Sequence, residues 1–271
     1  MSEETGQAEC QKRKLSLYIG VYTKGRTVSR LVDEIHVLNE LGVSAVYIEN
    51  NGGMPSELEV IEGVLEQVRC SKPKTAVGVN ILPNFQGTEY EAAIKLAKTH
   101  GGNFIVSDLI AGRHIYVNDK SPLNGSTLPE VESERFLTLL RSGGNMCAIG
   151  GVATPYARLE GDLESTVKKA GQLCDAVMVK TLPGETEVPT ERIKQYKVWS
   201  GRPVIVASLV DLRYMVGTVD LVRGYMVGGA GRLSDGRLNV GAIKDMSDFL
   251  KQSRDSSSGD RFGFGIPGAI D

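Results

Sequence analysis

Short apolar runs recur about every 30 residues along this chain, and each run is followed by a polar or glycine-rich cluster and then a helical pattern. The runs cover residues 17–21, 45–49, 76–80, 103–108, 146–150, 175–180, 203–208 and 225–228. Strands that alternate with helices form parallel sheets, and eight such units close into a barrel. The pattern therefore predicts an α/β protein with a (β/α)8 barrel.

The segments between the runs carry apolar residues at the three- and four-residue spacing of one helix face. In the first of them, Val28, Leu31, Ile35 and Leu38 follow this spacing. The strands themselves, such as residues 204–207, are almost continuously apolar, as parallel strands covered on both faces require. An antiparallel sandwich would alternate instead, so we expect helices packed around the outside of a barrel.

The length of 271 residues and the hydrophobic content of 41% suit one barrel domain, which we place at residues 15–251. Residues 1–14 and 252–271 are polar, and we expect a disordered N-terminal tail and a flexible C-terminal tail. The gap between the fourth and fifth strands is long. Residues 110–130, which fill it, form a candidate lid or binding loop.

Charge and cysteine content exclude several classes of protein. With 31 basic and 33 acidic residues, nothing favours nucleic acid or an anionic membrane as a partner. The chain has no apolar stretch of membrane-spanning length and no signal-peptide pattern, so we expect a cytoplasmic protein. The cysteines at 10, 70, 147 and 174 lack metal-ligand spacing and are expected to be reduced. We expect a homo-oligomer on general grounds.

Barrels of this class carry their chemistry at the C-terminal ends of the strands, where three charged residues stand out. Charged groups at the ends of buried strands are costly unless a ligand, a partner charge or water meets them. Glu49, Asp108 and Lys180 are therefore the candidate catalytic residues, with a structural ion pair as the alternative. The polar candidates for substrate binding at the same ends are Asn50, Asn80, Asn84 and Thr181.

The residues after the last two strands indicate a phosphate-binding site. Barrels often bind phosphate through backbone amides after strands seven and eight, where glycine exposes the backbone. Gly228 and Gly229 follow the last strand, Ser208 ends the one before it, and Arg232 could clamp a phosphate bidentately. We expect a small phosphorylated ligand.

The sequence gives little indication of a metal or cofactor site. The three histidines have no HxH or HExxH spacing, so a zinc site is not indicated. Glu49 and Asp108 could together hold Mg2+ through oxygen ligands, and no other cofactor is expected. The glycine cluster at 228–231 follows the last strand rather than the first, which is the wrong context for a dinucleotide fold.

Several segments resemble a known family, among them residues 175–181, 203–208 and 235–237. The run at 45–50, which ends in Glu-Asn, and the sequence Gly-Val-Asn-Ile-Leu-Pro-Asn at 78–84 resemble the second- and third-strand regions of the BtpA/SgcQ family. The resemblance covers roughly residues 15 to 251 and implies a TIM barrel of the ribulose-phosphate-binding type. Cyanobacterial members are associated with photosystem I biogenesis, and others are regarded as nucleosidase-like or aldolase-like.

The chain departs from the pattern of that family at several strand ends. Tyr22 stands where members have a histidine, Leu209 replaces a glycine, and residues 150–154 replace an Asp and a Lys-His pair. Two function classes stay open. One is an enzyme that performs lyase, aldolase or glycosyl-transfer chemistry on a phosphorylated sugar or nucleotide. The other is a non-catalytic assembly or stability factor.

A further resemblance concerns Lys180. The sequence Asp-Ala-Val-Met-Val-Lys-Thr at 175–181 resembles the sixth strand around the Schiff-base lysine of deoxyribose-phosphate aldolases. This resemblance implies imine formation at Lys180, with Asp108 as general acid and base. A lysine at this position could instead bind a phosphate as a point charge or form a structural ion pair.

Overall fold

The computed structural model describes residues 15–50, 56–83, 88–117, 124–144, 146–208 and 210–256. Its strands are β1 Ser16–Tyr22, β2 Ala45–Glu49, β3 Ala76–Asn80, β4 Phe104–Ser107, β5 Arg113–Tyr116, β6 Thr127–Leu128, β7 Cys147–Gly151, β8 Ala157–Glu160, β9 Ala176–Val179, β10 Val204–Ala207 and β11 Gly224–Val227. Its helices are α1 Val28–Glu40, α2 Ser56–Ser71, α3 Glu89–His100, α4 Ser133–Arg141, α5 Leu163–Leu173, α6 Thr190–Ser200, α7 Leu212–Thr218 and α8 Val240–Ser256.

Eight parallel strands close into a barrel in the order β1-β11-β10-β9-β7-β4-β3-β2. Each of them overlaps one of the apolar runs, so the predicted (β/α)8 barrel is confirmed. Helix α8 ends at Ser256, so residues 252–256, expected to begin the tail, are helical. The tail residues 1–14 and 257–271 lie outside the described ranges. Within those ranges no helix is both long and apolar enough to cross a membrane.

A small antiparallel sheet of three strands, in the order β6-β5-β8, was not predicted. Strands β5 and β6 come from the long segment after β4, where the sequence indicated a loop, and β8 follows β7. Residues 113–116 pair with residues 157–160. The buried His114 ring anchors this sheet to the barrel through a 2.8 Å hydrogen bond between Nε2 and the Val152 carbonyl oxygen.

Side chains on the barrel strands alternate between the barrel interior and the surrounding helices, as pleated strands require. In β2, Tyr47 belongs to the interior cluster, so the next inward position along the strand is Glu49. In β9 the same two-residue step leads from the interior Met178 to Lys180, just past the strand end. The same two-residue step ends at Asn80 in β3 and at Asp108 just after β4. Strand parity therefore gathers these residues in one layer at the C-terminal end.

The interior depends on one glycine in particular. Gly78 of β3 is paired with Phe104 of β4, and a Cβ at residue 78 would overlap the Phe104 ring. We expect Gly78→Ala to lower the free energy of unfolding by about 1–3 kcal/mol, since overpacking forces the ring out of place. Gly217→Ala in α7 is the matched control, because a Cβ there meets nothing within 4 Å. Urea unfolding measures both, and equal stability of the two variants would contradict the prediction.

Candidate active site

Four polar side chains meet at the C-terminal end of the barrel. Asn80 donates from Nδ2 to Glu49 Oε2 at 2.7 Å, and the same nitrogen lies 3.5 Å from Asp108 Oδ1. Lys180 Nζ lies 2.7 Å from that Asp108 oxygen. The three predicted catalytic residues and Asn80 therefore form one connected cluster, supplied by β2, β3 and the residues just after β4 and β9.

Tyr156 completes the cluster, and sequence reasoning missed it. Its hydroxyl donates to Asp108 Oδ2 at 2.6 Å. Burial, followed by the negative charge of Asp108, raises the pKa of Tyr156 well above its ordinary value, so the phenol stays protonated and remains a donor. The residue lies between β7 and β8, and only the unpredicted small sheet places it over the barrel mouth.

Two further tyrosines line the β1–β2 side of the site. Burial first, and then the charge of Glu49, raise the pKa of Tyr22 to about 12, and Tyr47 is raised well above its ordinary value by the same main cause. The two hydroxyls are hydrogen-bonded to each other. Room for Tyr22 depends on glycines, because a Cβ at Gly20 or Gly228 would lie 2.8 or 2.6 Å from its hydroxyl oxygen.

The carboxyl group of Glu49 has a strongly raised pKa. Burial raises its pKa to about 7, and the negative charge of Asp108 adds to this, while Lys180 and the hydrogen bond from Asn80 oppose it. The cluster holds two carboxyl groups and one ammonium group, and the ammonium contacts Asp108. A pKa of about 7 suits a general acid or base at neutral pH, so Glu49 stays the candidate for that role.

The site also contains an unused acceptor. The Asn80 side chain is 1% exposed, and its Oδ1 has no hydrogen-bond partner among the described residues. A buried carbonyl oxygen without a partner is costly unless water or a ligand donates to it. A hydroxyl group of a substrate would meet this requirement directly beside Glu49.

The other predicted binding residues differ in their surroundings. Asn50 is buried and accepts from the Leu82 backbone nitrogen at 2.8 Å, so it holds the chain after β3 in place. Thr181, next to Lys180, is 1% exposed. Ser208 follows β10 with a positive φ of 75°. Asn84 lies outside the described residues.

Arg232, which the sequence suggested as a phosphate ligand, has several contacts within the protein. Its guanidinium donates to Glu34 Oε2 at 2.9 Å and to the Gly20 carbonyl at 2.6 Å, and it stacks over the Tyr22 ring. Arg26 binds the same Glu34 carboxylate. Arg232 therefore ties α1 and β1 to the segment after β11, and its role as a phosphate ligand stays a prediction. Backbone readout at Gly229 stays open, since a Cβ there would meet no atom within 4 Å.

The described residues include one group with the donors of a metal site. Ligand atoms of Glu62, Glu66 and His100 lie within 4.8 Å of one another on α2 and α3. However, the two ring nitrogens of His100 face different carboxylates, at 3.2 and 3.4 Å, which is the geometry of an imidazole bridging two acids. In the mouth cluster, the Lys180 ammonium already occupies the cation position beside Asp108.

A closed barrel of eight parallel strands, with its polar cluster at their C-terminal ends, defines a TIM-barrel protein. A tryptophan synthase chain from Mycobacterium tuberculosis shares the fold with 15% identity and a TM-score of 0.61, over 92% of this chain and 96% of that one. Phosphoribosyl anthranilate isomerase from Thermus thermophilus shares it with 13% identity and a TM-score of 0.58, over 89% and 100%.

The alpha subunit of tryptophan synthase from Legionella pneumophila is similar at 12% identity, with a TM-score of 0.61 over 91% of this chain and 96% of that one. At such identities the likeness shows the fold alone. No family profile and no curated protein sequence matches the chain.

Proposed function

We propose that this protein is a TIM-barrel enzyme that binds a small phosphorylated sugar or nucleotide at the C-terminal mouth and uses Glu49 as its general acid and base. The observation that carries the proposal is the position of the Glu49 carboxyl group, which is buried next to the Asp108–Lys180 ion pair. Burial and the charge of Asp108 raise its pKa to about 7. A carboxyl group with that pKa can take a proton from a substrate hydroxyl and return it at neutral pH.

The neighbouring groups suit lyase or aldolase chemistry. Cleaving a bond next to a hydroxylated carbon requires removal of the hydroxyl proton and stabilisation of the negative charge that develops on the other fragment. Glu49 performs the first task by accepting the proton of the reacting hydroxyl, while the Asn80 oxygen accepts from a second hydroxyl of the substrate. Lys180 and Tyr156, both fixed by Asp108, supply the cation and the hydrogen-bond donor for the second.

Lys180 acts in this proposal as a charge rather than as a nucleophile. Its Nζ lies 2.7 Å from Asp108 Oδ1, and this ion pair engages the nitrogen that a nucleophilic amine would present to a carbonyl group. The imine chemistry suggested by the aldolase-like sequence is therefore the second choice. Borohydride reduction with a panel of aldehydes tests it, because mass added at Lys180 would restore the Schiff-base mechanism.

Three observations support a phosphorylated ligand. The turn Gly229–Gly231 follows the last strand at the usual phosphate position of such barrels. The resemblance to the BtpA/SgcQ family implies a ribulose-phosphate-binding type of barrel. One structural neighbour is named for a phosphoribosyl compound. We propose that the phosphate lies against the backbone at Gly229, with the sugar extending towards Glu49.

Thermal unfolding with added ligands tests this proposal. Ribose 5-phosphate, ribulose 5-phosphate, deoxyribose 5-phosphate, AMP and inorganic phosphate are the probes, each with MgCl2 and with EDTA. A ligand that binds the folded state at 100 times its Kd adds about 2.7 kcal/mol of stability. We expect a phosphorylated sugar to raise Tm where ribose, an unphosphorylated control, does not, and a dependence on MgCl2 would show that Mg2+ takes part in binding.

Gly229→Asp is the matched variant, because it places a negative charge at an open position beside the proposed phosphate. Gly217→Asp, at an open position on α7, controls for the added charge. We expect the ligand response to be lost in the first variant and kept in the second. An equal response in both would move the phosphate elsewhere, and no response to any probe would favour the assembly-factor alternative.

A further inference from the structure

A second cavity opens at the opposite end of the barrel. It has a volume of about 380 Å3 and is lined by the first residues of six barrel strands: Ser16, Ala45, Ala76, Phe104, Cys147 and Ala176. Most of these residues are small, so the innermost layer at the N-terminal end does not fill the barrel. The apolar interior residues Tyr18, Ile149 and Ile205 form its upper wall.

The lining of this cavity also carries positive charge. Arg141, Arg202 and Arg223 all line it. Arg202 donates from Nε to the Gly171 carbonyl at 2.7 Å, but in the described part of the chain none of the three arginines has a carboxylate oxygen within 4.0 Å. The one acidic lining residue is Asp175, whose Oδ2 accepts from the Ala148 backbone nitrogen.

Among the half-buried arginines of the described residues, Arg202 is the one without a carboxylate partner, while Arg141 and Arg223 are exposed. Arg26 and Arg232 share the carboxylate of Glu34, and Arg192 is paired with Glu185. Three arginines and one aspartate line the cavity, so the lining has a net positive charge that favours an anion. Arginine also offers the planar pair of donors that carboxylate, phosphate and sulfonate groups accept.

We propose that this cavity binds a small organic anion, with an aromatic or aliphatic body inside the barrel and an acidic group at the arginines. Its volume lies within the range of small-molecule pockets, and its walls combine apolar side chains with a few charged ones, as such pockets do. The interior layer that contains Tyr47, Val106 and Met178 lies between it and the Glu49 cluster. The site is therefore separate from the proposed active site.

The fluorescent anion 8-anilinonaphthalene-1-sulfonate, which has this chemistry, is the probe for a titration of the full-length protein. We expect saturable binding that weakens about tenfold or more when Arg141 and Arg223 are both replaced by glutamine, since two charged donors are lost. The control is the double variant Arg158→Gln/Arg213→Gln, which removes the same charge from two exposed residues elsewhere. We expect it to bind the probe as the wild type does.

The neutral analogue N-phenyl-1-naphthylamine tests binding of the apolar body separately from binding of the acidic group. Its affinity should be the same in the wild type and in the Arg141/Arg223 variant. Ala76→Leu, which adds a side chain to the wall of the cavity, should abolish binding of both probes while circular dichroism shows an intact fold. Equal probe affinity in all variants, or no saturable binding by the wild type, would overturn the proposal.

Cys147 reports the position of the probe directly. It is partly exposed and lines the cavity, whereas burial raises the pKa of the Cys174 thiol and keeps that residue unreactive. In a variant with Cys10 and Cys70 replaced by serine, bound probe should slow the reaction of Cys147 with a thiol reagent severalfold. An unchanged rate at saturating probe would place the probe outside the cavity.

Discussion

Lys180→Met is expected to lower the free energy of unfolding by about 3–5 kcal/mol, the cost of breaking a buried ion pair from one side. The Asp108 side chain is 2% exposed and that of Lys180 is 12% exposed, with 2.7 Å between the paired atoms. Methionine has a similar length and shape but no charge. The variant therefore leaves the Asp108 carboxylate buried and without a charged partner, with donors at Tyr156 (2.6 Å) and Asn80 (3.5 Å).

A double-mutant cycle shows whether the loss comes from the stranded charge. Asp108→Asn strands the Lys180 ammonium in the same way, while the double variant Asp108→Asn/Lys180→Met removes both charges. We expect the double variant to be more stable than the sum of the single losses predicts, by about 2 kcal/mol or more. Urea unfolding, followed by circular dichroism, measures all four proteins.

Lys168→Met is the matched control, because Lys168 pairs with Glu164 on the surface of α5 and both side chains are about half exposed. Exposed pairs of this kind contribute little to stability. If Lys180→Met were no more destabilising than Lys168→Met, the Asp108–Lys180 pair would be solvated. The argument for a raised pKa at Glu49 would then fail as well.

The position of the charged cluster could be predicted from the sequence because it depends only on strand parity and strand direction. Side chains two residues apart face the same side, and parallel strands end at one edge. Glu49, Asp108 and Lys180 could therefore be assigned to one end of the barrel. Their hydrogen bonds through Asn80, and the pKa of Glu49, depend on distances that no sequence pattern encodes.

Tyr156 and the ion pair between Arg232 and Glu34 show what the sequence did not predict. Strands β5, β6 and β8 have two to four residues, too few for a hydrophobic period, so nothing indicated that Tyr156 would lie over the site. Arg232 suited a phosphate clamp by its position alone. Its partner Glu34 comes from the polar side of α1, and only the closed barrel brings the two together.

The cavity at the N-terminal end was not predicted for a related reason. Alanines and a cysteine at the start of parallel strands look like ordinary packing residues. Whether a layer of small side chains leaves a void depends on how the strands close around it. The three arginines come from one helix end and two loops, and their convergence is a property of the fold alone.

Glu49→Gln is expected to stabilise the protein at about pH 8 and to leave its stability nearly unchanged below about pH 4.5. The pKa of Glu49 is raised from 4.5 in the unfolded chain to about 7 in the folded one. The folded state therefore holds a proton that the unfolded state has lost, and stability decreases as the pH rises between these values. Glutamine keeps an oxygen to accept from Asn80 but cannot ionise. At about pH 8 the variant should gain up to about 3 kcal/mol in its free energy of unfolding, or several degrees in Tm.

The difference in stability between wild type and variant, measured by urea unfolding at each pH, cancels the other titrating groups. A difference that does not change with pH would contradict a raised pKa at Glu49. Glu164→Gln, on the exposed pair of α5, should show no such increase. The Lys180 charge lowers the pKa of Glu49, so the same comparison in the Lys180→Met background should shift to higher pH. That shift would show that the two groups act as one electrostatic unit, which the proposed proton transfer requires.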